Sequence, residues 1–520
     1  MRIIGYHIQD NQAVNSEGEA SGPDIMSFLL ADKPDSIKVF YNLDWAVARI
    51  IYFLEVPRPL IQKLWNTGRL YWRGYSIFFV PHRYINIQYG QHWGETNFSD
   101  IFQYDNDLPF EVEPLDAAKC AAEIGQEVYE AMKMIGLEPT TLSSPVSAFQ
   151  KQILATLDLP TWEDTPAEVL VYANRCLHGG WQECYKKGHF KQVWDYDLTS
   201  AYSYFTSQLI DFRYGRWEKA RQFYSKLPFG FYRGTIKSTA DFHPFIYETK
   251  KEQLTPIGTW NEDYRQVSEI KHLYDFDRGQ FKIDDGWVWH PDKIVMPLKQ
   301  DMETLAEWKQ KLPKGLKREI VKRIMNGTWG KTGEVFHGGG FGKMYNPVWA
   351  ASIEPGPRLE VSKFIISNKA ENNVISIAVD GTMLSKEVHI PDSEDMGDWR
   401  FNMSAPAYAI SSGISCIKGK QGHGAFCLNY DWLSSQIASH PDADHYSMSK
   451  QTPVTIGYAL AKNKLDKLGE LETTERSVII GYETKRLFRG TPHTGRDLAT
   501  RRYDSVALDI GIAKANQYSD

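Results

Sequence analysis

The chain has 520 residues, of which 42% are hydrophobic and 24% are charged, and these values are ordinary for a globular protein. The composition excludes collagen-like, intrinsically disordered and disulfide-scaffold proteins, and the length suggests about three or four domains. With 59 Lys and Arg against 65 Asp and Glu, the net charge of −6 excludes nucleic-acid binding through net charge alone but leaves room for a local basic groove.

The cysteines and the apolar runs bear on the cellular compartment. The five cysteines are Cys120, Cys176, Cys184, Cys416 and Cys427. Their number is odd and no two form a CxxC pair, so the sequence predicts neither a disulfide framework nor a zinc site and favours a reducing compartment. No segment approaches about 18 consecutive apolar residues, and the N-terminus has no apolar signal-peptide core. We therefore expect no membrane partner.

Hydrophobic periodicity predicts an α/β domain in the first third of the chain. Residues 1–9, 37–42 and 76–80 are predicted strands, and residues 44–54 are a predicted helix. Residues 115–135 form the clearest amphipathic helix, which we expect to end at Gly136. The polar, proline-containing stretch 158–166 is a predicted linker.

A second α/β region follows the linker. Residues 193–197, 230–238 and 374–379 are predicted strands, and residues 300–330 are predicted to form two helices separated at 312–315. The segment 476–502 carries seven basic and two acidic residues. It is either a solvated charged face or a surface that contacts phosphates.

Two aspartates each follow an apolar strand and precede a turn. Asp197 lies in the segment 194–204 (WDYDLTSAYSY), and Asp380 lies in the segment 374–384 (VISIAVDGTML). Such a carboxylate can hold a divalent metal, and the backbone amides of the turn after Asp197 can receive a triphosphate. An aspartate at the end of a strand also has ordinary structural roles. Together, however, Asp197 and Asp380 could hold two Mg²⁺ ions for in-line phosphoryl transfer.

A basic helix lies between these two segments in the chain. Arg318, Lys322 and Asn326 are four residues apart and therefore share one face of a helix. Residues 311–331 contain seven basic residues and one acidic residue. Two cations and an amide in one row suit the phosphates and sugar of a nucleotide, and the alternative is an exposed basic helix.

The order of these segments resembles that of the family B DNA polymerases, nearest to the small protein-primed enzymes of phages and linear plasmids. The family's motif A, DxxSLYP, is similar to residues 197–203 (DLTSAYS), and motif B, KxxxNSxYGK, is similar to residues 322–331 (KRIMNGTWGK). Motif C, DTD, falls on residues 378–380 (AVD), and the subgroup's YxGG signature is similar to residues 177–180 (LHGG).

The resemblance implies a mixed α/β and α+β multidomain fold. An RNase H-like, exonuclease-type domain would occupy residues 1–160. A right-hand polymerase would follow, with palm at 165–300, fingers at 301–345, the second part of the palm at 346–420 and a thumb or DNA-binding region at 421–520.

The resemblance also implies roles for particular residues. Asp197 and Asp380 would be the catalytic metal ligands, with the Leu198 carbonyl as an additional ligand. The nucleotide would be bound by the amides of Thr199, Ser200 and Ala201, by Tyr202 beneath the sugar, and by Arg318, Lys322 and Asn326. DNA would be contacted by Gly179, Gly180, Trp329, Gly330, Lys331, Lys485, Arg486 and Arg489.

Motif C departs from the family pattern, because Ala378 replaces its first Asp. We align Asp380 with the second Asp, since Gly381 suits the small residue that usually follows it. An alternative alignment makes Asp380 the first Asp and places Thr382 at the second position, which would remove a ligand. In motif B, Gly327 replaces Ser and Trp329 replaces Tyr.

The exonuclease motifs depart further. The first motif, DxE, falls on His7 and Gln9, and Ala46 lies where the second motif has Asp. The third motif has no convincing match on the 115–135 helix, where Glu123 and Glu127 are the nearest acids. Because a two-metal nuclease needs these carboxylates, we predict a degenerate exonuclease domain without proofreading. A shifted alignment would recruit Asp10 or Asp44 instead.

Three functions follow for testing. The first is a template-directed DNA polymerase that uses Mg²⁺, with Mn²⁺ as the alternative ion, and whose partners are primer–template DNA and dNTPs. A terminal protein or another replication protein is a further partner implied by the subgroup, as is a phage or mobile-element origin in the bacterial cytoplasm. The alternatives are an untemplated or primer-independent nucleotidyltransferase, and a non-catalytic nucleic-acid-binding protein on a polymerase scaffold.

Overall fold

The computed structural model describes residues 1–9, 12–31, 33, 35–90, 93–101, 112–336, 339–391, 393–420 and 428–514. Its strands, in chain order, are β1 (Arg2–Gln9), β2 (Gln12–Asn15), β3 (Ser36–Phe40), β4 (Arg69–Trp72), β5 (Tyr75–Val80), β6 (Tyr84–Tyr89), β7 (Trp93–Asp100), β8 (Gln182–Cys184), β9 (Lys186–Leu198), β10 (Gly215–Ala220), β11 (Phe229–Ser238), β12 (Tyr247–Glu248), β13 (Gln253–Leu254), β14 (Ile257–Gln266), β15 (Gly279–Pro291), β16 (Val374–Ala378), β17 (Gly381–Leu384), β18 (Trp399–Ser411), β19 (Ile414–Ile417), β20 (His445–Pro453), β21 (Leu471–Ile479), β22 (Arg486–Phe488), β23 (Arg502–Ala507) and β24 (Asp509–Lys514).

The α-helices, in the same order, are α1 (Ile25–Leu30), α2 (Leu43–Phe53), α3 (Arg58–Thr67), α4 (Pro114–Met134), α5 (Pro145–Thr156), α6 (Ala167–Arg175), α7 (Ala201–Ser207), α8 (Val267–Asp275), α9 (Lys299–Lys311), α10 (Leu316–Gly330), α11 (Pro347–Ile353), α12 (Pro355–Ser367), α13 (Tyr430–Ser439), α14 (Ile456–Lys462) and α15 (Gly495–Thr500).

The chain divides into two compact units, each built from three segments. The first unit comprises residues 1–156, 307–324 and 449–475. The second unit comprises residues 157–306, 325–448 and 476–520. The finer division into exonuclease-type domain, palm, fingers and thumb stays a prediction.

A seven-stranded sheet forms the centre of the first unit. Its strand order is β2-β1-β3-β7-β6-β5-β4, with β1, β3 and β7 parallel to their neighbours in the middle and antiparallel pairs on both sides. Apolar residues on one face pack with α1, α2 and α3 into a single core. Helix α4 packs on the other face, where Gly5 of β1 lies directly against the backbone of Ala118.

The second unit contains two larger sheets. One has the order β10-β15-β11-β14-β24. The other has the order β19-β18-β9-β17-β16-β8, and β23 pairs with the beginning of β9. The 13-residue strand β9 runs through the middle of this second sheet and ends at the segment that contains Asp197.

Most predicted elements are present, and the local reasons are visible. Helix α2 begins where the Asn42 side chain accepts the Trp45 N–H at 3.0 Å. Helix α4 begins at Pro114 and ends just before Gly136, whose φ of +81° interrupts helical geometry. The break between α9 and α10 falls at residues 312–315 as predicted. The predicted linker instead contains a short 3₁₀ helix, Trp162–Asp164, capped by Thr161.

Within the described ranges, no helix is both long and apolar enough to cross a membrane. Among the described residues, Cys120, Cys176, Cys184 and Cys416 form no disulfide, and Cys427 lies outside the described residues.

The close approach of β1 to α4 gives a test of the fold. A methyl group at Gly5 would overlap the Ala118 carbonyl oxygen, so Gly5→Ala must push the helix away from the sheet. We expect a loss of about 1–3 kcal/mol in the free energy of unfolding, measured by chemical denaturation. The control is Gly22→Ala, because nothing lies within 4 Å of a Cβ there. Equal stability of the two variants would contradict this packing.

Candidate active site

The pairing of β17 with the end of β9 brings the two predicted aspartates together. Gly381 lies directly opposite Asp197 in the antiparallel register. The Leu198 N–H donates to the Asp380 carbonyl at 2.9 Å. Asp380 itself lies in the two-residue turn between β16 and β17, after Val379 with a left-handed φ of +62°. The two carboxylates, 183 positions apart in the numbering, therefore share one end of the sheet.

The carboxyl group of Asp197 has an unusual pKa. Burial and, next in size, the neighbouring Asp380 carboxylate raise the pKa to about 7, although Arg400 opposes both effects. The Arg400 Nη2 lies 3.5 Å from the Asp197 Oδ2. Two carboxylates that disfavour each other's ionisation are a favourable place for a bound cation, because a cation holds both in the charged form.

The register also distinguishes the two alignments of motif C. Thr382 lies opposite Tyr196, and side chains alternate along a strand, so Thr382 is on the face of the sheet away from Asp197. Its hydroxyl donates to the Ser376 carbonyl at 3.2 Å, and the residue is 2% exposed. The geometry therefore favours the alignment in which Asp380 takes the position of the second motif C aspartate.

The donor set fits a small hard cation. Within the described ranges, no three acidic, histidine or cysteine side chains cluster as metal ligands. Mg²⁺ is commonly held by one or two carboxylates with substrate phosphates and water, rather than by a complete protein cage. Asp197 and Asp380, with the adjacent main chain of Leu198, supply such a partial set.

Asp195 is a third acidic residue that the motif comparison did not select. It lies two positions before Asp197 and so on the same face of β9. Its Oδ2 accepts from Lys420 Nζ at 2.5 Å and from Asn402 Nδ2 at 3.0 Å. Arg400 Nε in turn donates to the Asn402 Oδ1 at 3.0 Å. The spacing of two aspartates at i and i+2 on a strand was the available sequence signal for this polar row.

The turn after Asp197 departs in one respect from its predicted role. Ser200 has a left-handed φ of +51° and precedes α7. The Thr199 N–H donates to the Asp398 carbonyl at 2.9 Å, so it is engaged within the protein and does not point to a phosphate site. The Thr199 hydroxyl is buried without a hydrogen-bond partner among the described residues. The phosphate-binding role of the Ser200 and Ala201 amides stays a prediction.

Motif A and motif B meet through two aromatic rings. The rings of Tyr202 and Trp329 stack with centroids 4.7 Å apart and planes 16° from parallel. Burial raises the pKa of the Tyr202 hydroxyl above its usual range, and that hydroxyl points toward Gly180. This stacked pair adjoins the segment that contains Asp380, because Gly180 also contacts Val379.

Helix α10 carries the predicted row of Arg318, Lys322 and Asn326. Lys322 and Asn326 are exposed, as expected for groups that meet a ligand. Arg318 Nε donates to the Lys309 carbonyl at 3.0 Å, and Lys322 Nζ lies 3.7 Å from the Glu319 carboxylate. Arg318 and Lys322 belong to the first unit, and their approach to the Asp197 segment stays a prediction.

Lys331 does not fit its predicted contact with DNA. It is only 8% exposed, and its Nζ lies 2.6 Å from the Glu334 Oε1. The positive charge of Lys331 is therefore neutralised by an ion pair within the protein. Gly330, one position earlier, is exposed with open space around its Cα.

Arg486 also does not fit its predicted contact with DNA. Its side chain is 0% exposed and pairs with Glu183 at 3.1 Å and Asp241 at 2.8 Å. The guanidinium lies 4.0 Å from the centre of the Tyr185 ring. It is a structural cation. Of its two predicted companions, Lys485 donates to the Gln182 carbonyl at 3.0 Å and Arg489 is exposed.

The predicted template-contacting glycines lie between the motif C turn and a group of buried charges. A Cβ on Gly180 would be 3.2 Å from Val379 Cγ1, so a side chain here would require Val379 to shift by a few tenths of an ångström. Gly179 has a left-handed φ of +78°, and its carbonyl accepts from Arg358 Nη1 at 3.0 Å. Gln253 Nε2 donates to the preceding carbonyl, that of His178, at 2.7 Å.

The buried charges that hold this segment form a connected network. Arg358 pairs with Glu354 and, at 2.7 Å, with Glu269. Glu269 also pairs with Arg265 at 3.0 Å, and Arg265 pairs with Asp263 at 2.6 Å. All five side chains are buried, and a buried ion pair is costly to break because it leaves an unpaired charge. Sequence reasoning missed this network because its members are spread over about a hundred residues.

None of the residues at the degenerate exonuclease positions is a carboxylate. His7 is buried near Trp45. Burial and, to a smaller extent, the positive charge of Arg49 lower the pKa of His7 to about 4, so its imidazole is neutral at pH 7. Gln9 lies at the partly exposed end of β1, and Ala46 is buried in α2. Glu123 and Glu127 are exposed on α4, away from the buried face of that helix.

Of the two acids that the shifted exonuclease alignment would use, the structure describes Asp44. Asp44 accepts the His82 N–H at 3.1 Å and contacts the His82 ring at 2.8 Å, so both its oxygens are engaged. Asp10 lies outside the described residues.

Comparison with known proteins identifies the fold. No protein-family model and no curated protein sequence matches the chain significantly. The structure of phi29 DNA polymerase with primer-template DNA and incoming nucleotide substrates matches with a TM-score of 0.65 at 14% identity, over 92% of this chain and 100% of that chain. The chain has the fold of that polymerase.

Two other phi29 polymerase structures agree. The complex with single-stranded DNA matches with a TM-score of 0.64 at 14% identity. The post-translocation binary complex with primer-template DNA matches with a TM-score of 0.65 at 13% identity. Both cover 92% of this chain and all of the other. The mixed α/β polymerase fold implied by the motif resemblance is therefore confirmed, while identity this low shows the fold alone.

The raised pKa of Asp197 gives a test of the site in the metal-free protein. The folded-state pKa of about 7 exceeds the unfolded value of about 3.9, so ionisation lowers the stability of the native state as pH rises between those values. Asp197→Asn cannot ionise and should melt about 2–4 °C above the wild type at pH 8, after allowance for the partial exposure of the carboxyl. At pH 4 the difference should disappear.

Mg²⁺ provides the control for that experiment. At pH 8 it should raise the melting temperature of the wild type and leave that of Asp197→Asn nearly unchanged. Melting temperatures that differ equally at both pH values, or that respond equally to Mg²⁺, would contradict a cation site at Asp197.

Proposed function

We propose that the protein is a template-directed DNA polymerase that extends a 3′-hydroxyl by two-metal phosphoryl transfer. The observation that carries the proposal is the placement of Asp197 beside Asp380 at one end of the β9–β17 pair. The polymerase fold supports it, because the matching phi29 structures hold primer-template DNA and incoming nucleotide.

The carboxylates of Asp197 and Asp380 would hold two Mg²⁺ ions, with the Leu198 carbonyl as a further ligand. When bound, Mg²⁺ supplies positive charge that neutralises the triphosphate and favours in-line displacement. Mn²⁺, which also prefers oxygen ligands, is the alternative ion. The altered motif C leaves this pair intact, since Ala378 removes only the carboxylate that precedes the turn.

The surrounding residues would bind and orient the reactants. The Ser200 and Ala201 amides receive the triphosphate, and the Tyr202 ring, fixed by Trp329, limits the space beneath the sugar. A buried aromatic platform in that position favours a deoxyribose over a ribose. Arg318, Lys322 and Asn326 contact phosphates and the nascent base pair from α10.

DNA would be held on both sides of the reaction centre. Gly179 and Gly180 would contact the template through their main chain, because Gln253 and Val379 fill the space that their side chains would take. Gly330 and Trp329 contact the template strand or the minor groove. Lys485 and Arg489 would provide positive charges that contact the duplex. Lys331 and Arg486 would not contact DNA, because each forms an ion pair inside the protein.

The N-terminal domain would not proofread. His7, Gln9 and Ala46 stand at the positions where a two-metal exonuclease needs carboxylates, and neutral groups cannot replace them. Priming by a terminal protein and a phage or mobile-element origin stay predictions from the motif resemblance.

Primer extension tests the polymerase proposal. Asp197→Ala and Asp380→Ala should each lower the rate about a thousandfold or more, equivalent to roughly 4 kcal/mol of lost transition-state stabilisation. Thr382→Val is the matched control, because Thr382 faces away from Asp197, and it should retain activity within a few-fold. Activity lost with Thr382 but kept with Asp380 would reverse the motif C alignment.

The same assay separates the alternatives. Product that forms equally well without template or without primer would replace the proposal with an untemplated or primer-independent transferase. DNA binding without any metal-dependent product would leave a non-catalytic scaffold.

A mismatched primer tests the absence of proofreading. A labelled primer with a 3′-terminal mismatch, incubated with Mg²⁺ and no dNTPs, should keep its full length because the exonuclease carboxylates are missing. Asp44→Asn is the control. Shortening of the primer by the wild type that disappears in Asp44→Asn would establish the shifted exonuclease alignment instead.

A further inference from the structure

The seven-stranded sheet of the first unit has a second face that is only half covered. Strands β4, β5 and β6 bury Leu70, Ile77, Phe79, Ile85 and Ile87 in the core on one side. The alternate side chains of β4–β7 point the other way. We call them the outer face, defined as Arg69, Tyr71, Ser76, Phe78, Val80, Tyr84, Asn86, Gln88 and Asn97. Helix α4, which packs on this side of the sheet, contacts β1, β2 and β3.

Aromatic rings and an arginine form a connected row across the outer face. Arg69 pairs in register with Phe78, and Phe78 pairs with Asn86. The Arg69 guanidinium lies 5.6 Å from the centre of the Phe78 ring, and the Phe78 and Tyr84 rings meet edge to face at 5.7 Å. Tyr71, beside Arg69 on β4, is 64% exposed. Phe78 and Tyr84 are half-buried, so Tyr71 is the ring of this row that is most open to a ligand.

The charge of the outer face favours an anionic ligand. Arg69 and Arg83 are exposed, and neither makes an ion pair in the part of the chain that the structure describes. Arg83 lies close enough to Tyr84 to lower the pKa of its hydroxyl, against the raising effect of burial. Both arginines lie at the end of the face that carries the aromatic row, since Arg69 pairs with Phe78 and Arg83 directly precedes Tyr84.

The side-chain chemistry identifies the class of ligand. The outer face combines stacking rings, guanidinium groups and amides, with Asn86 and Asn97 joined at 2.9 Å. Val80 is the aliphatic side chain among these positions and Leu, Ile and Met are missing from them, although the core of a protein–protein interface is rich in apolar side chains. Aromatic residues that stack bases on an open antiparallel sheet, with cations for the backbone, are a general solution for single-stranded nucleic acid.

We propose that the outer face of β4–β7 binds single-stranded nucleic acid by stacking bases on Tyr71 and the Phe78–Tyr84 pair, with Arg69 and Arg83 on the phosphates. This site is independent of Asp197 and Asp380 and does not rest on the proposed polymerase activity.

Binding of a fluorescein-labelled oligothymidylate to the full chain, followed by anisotropy with saturating unlabelled primer–template duplex present, tests the proposal. Tyr71→Ala should weaken binding about 5- to 150-fold, the usual effect of losing one stacking ring. The double variant Arg69→Ala/Arg83→Ala should reduce the slope of log affinity against log salt by about 1.4. An oligouridylate of equal length shows whether DNA or RNA is preferred.

Matched controls come from the same unit. Tyr52 is similarly exposed, at 56%, but lies on α2, and Arg58 is exposed at the start of α3. Tyr52→Ala and Arg58→Ala should leave oligonucleotide binding unchanged. Primer extension by Tyr71→Ala should stay at the wild-type level, which separates this site from the polymerase site. The proposal is overturned if Tyr71→Ala and the double arginine variant weaken binding no more than these controls.

Discussion

The antiparallel pairing of β17 with the end of β9 is the constraint on which the site depends. It brings two acidic residues from distant parts of the chain to one end of a sheet, where the Asp380 carboxylate disfavours the ionisation of Asp197. Hydrogen bonds on the other side of the strand pair hold it in place. On the opposite face, the Tyr196 hydroxyl donates to the Val388 carbonyl and accepts the Val388 N–H, and the Thr382 hydroxyl is bonded within the β16–β17 hairpin. The positions of the two carboxylates are thus stabilised by hydrogen bonds on the opposite face of the sheet.

A second stabilising feature lies beneath the Gly179–Gly180 segment. Arg358 donates to the Gly179 carbonyl while it is held by Glu354 and Glu269, so the glycine backbone is fixed by buried charges and not by its own side chains. Glycines are the most conformationally free residues, and a segment of two needs external restraint to keep one geometry. Because Gly180 also contacts Val379, the same restraint reaches the turn that carries Asp380.

The sequence predicted the elements and the two central carboxylates, because these depend on local patterns. Strand β1, helices α2 and α4 and the α9–α10 break follow from periodicity and end signals, and Asp197 and Asp380 follow from apolar strands that end in an acid. The sequence did not predict that Arg486 and Lys331 are buried, because a count of basic residues carries no information on burial. The partners of Arg486, Glu183 and Asp241, lie 303 and 245 positions away, and only the tertiary fold brings them together. The antiparallel strands that follow β4 were likewise under-predicted, since short aromatic runs give a weak periodic signal.

The segmented construction of the first unit has a consequence for how the protein is made. Its apolar core includes Val454, Ile456, Ala459 and Leu468, and Gly457 packs closely on Trp65. A ribosome releases the N-terminal 156 residues of this unit long before it adds those residues, so the nascent chain carries an uncovered patch on α3 while the second unit is being synthesised. Transiently exposed apolar surface is the usual substrate of chaperones and proteases. Nascent chains that stop before residue 449 should therefore be the ones that cells find hardest to keep in solution.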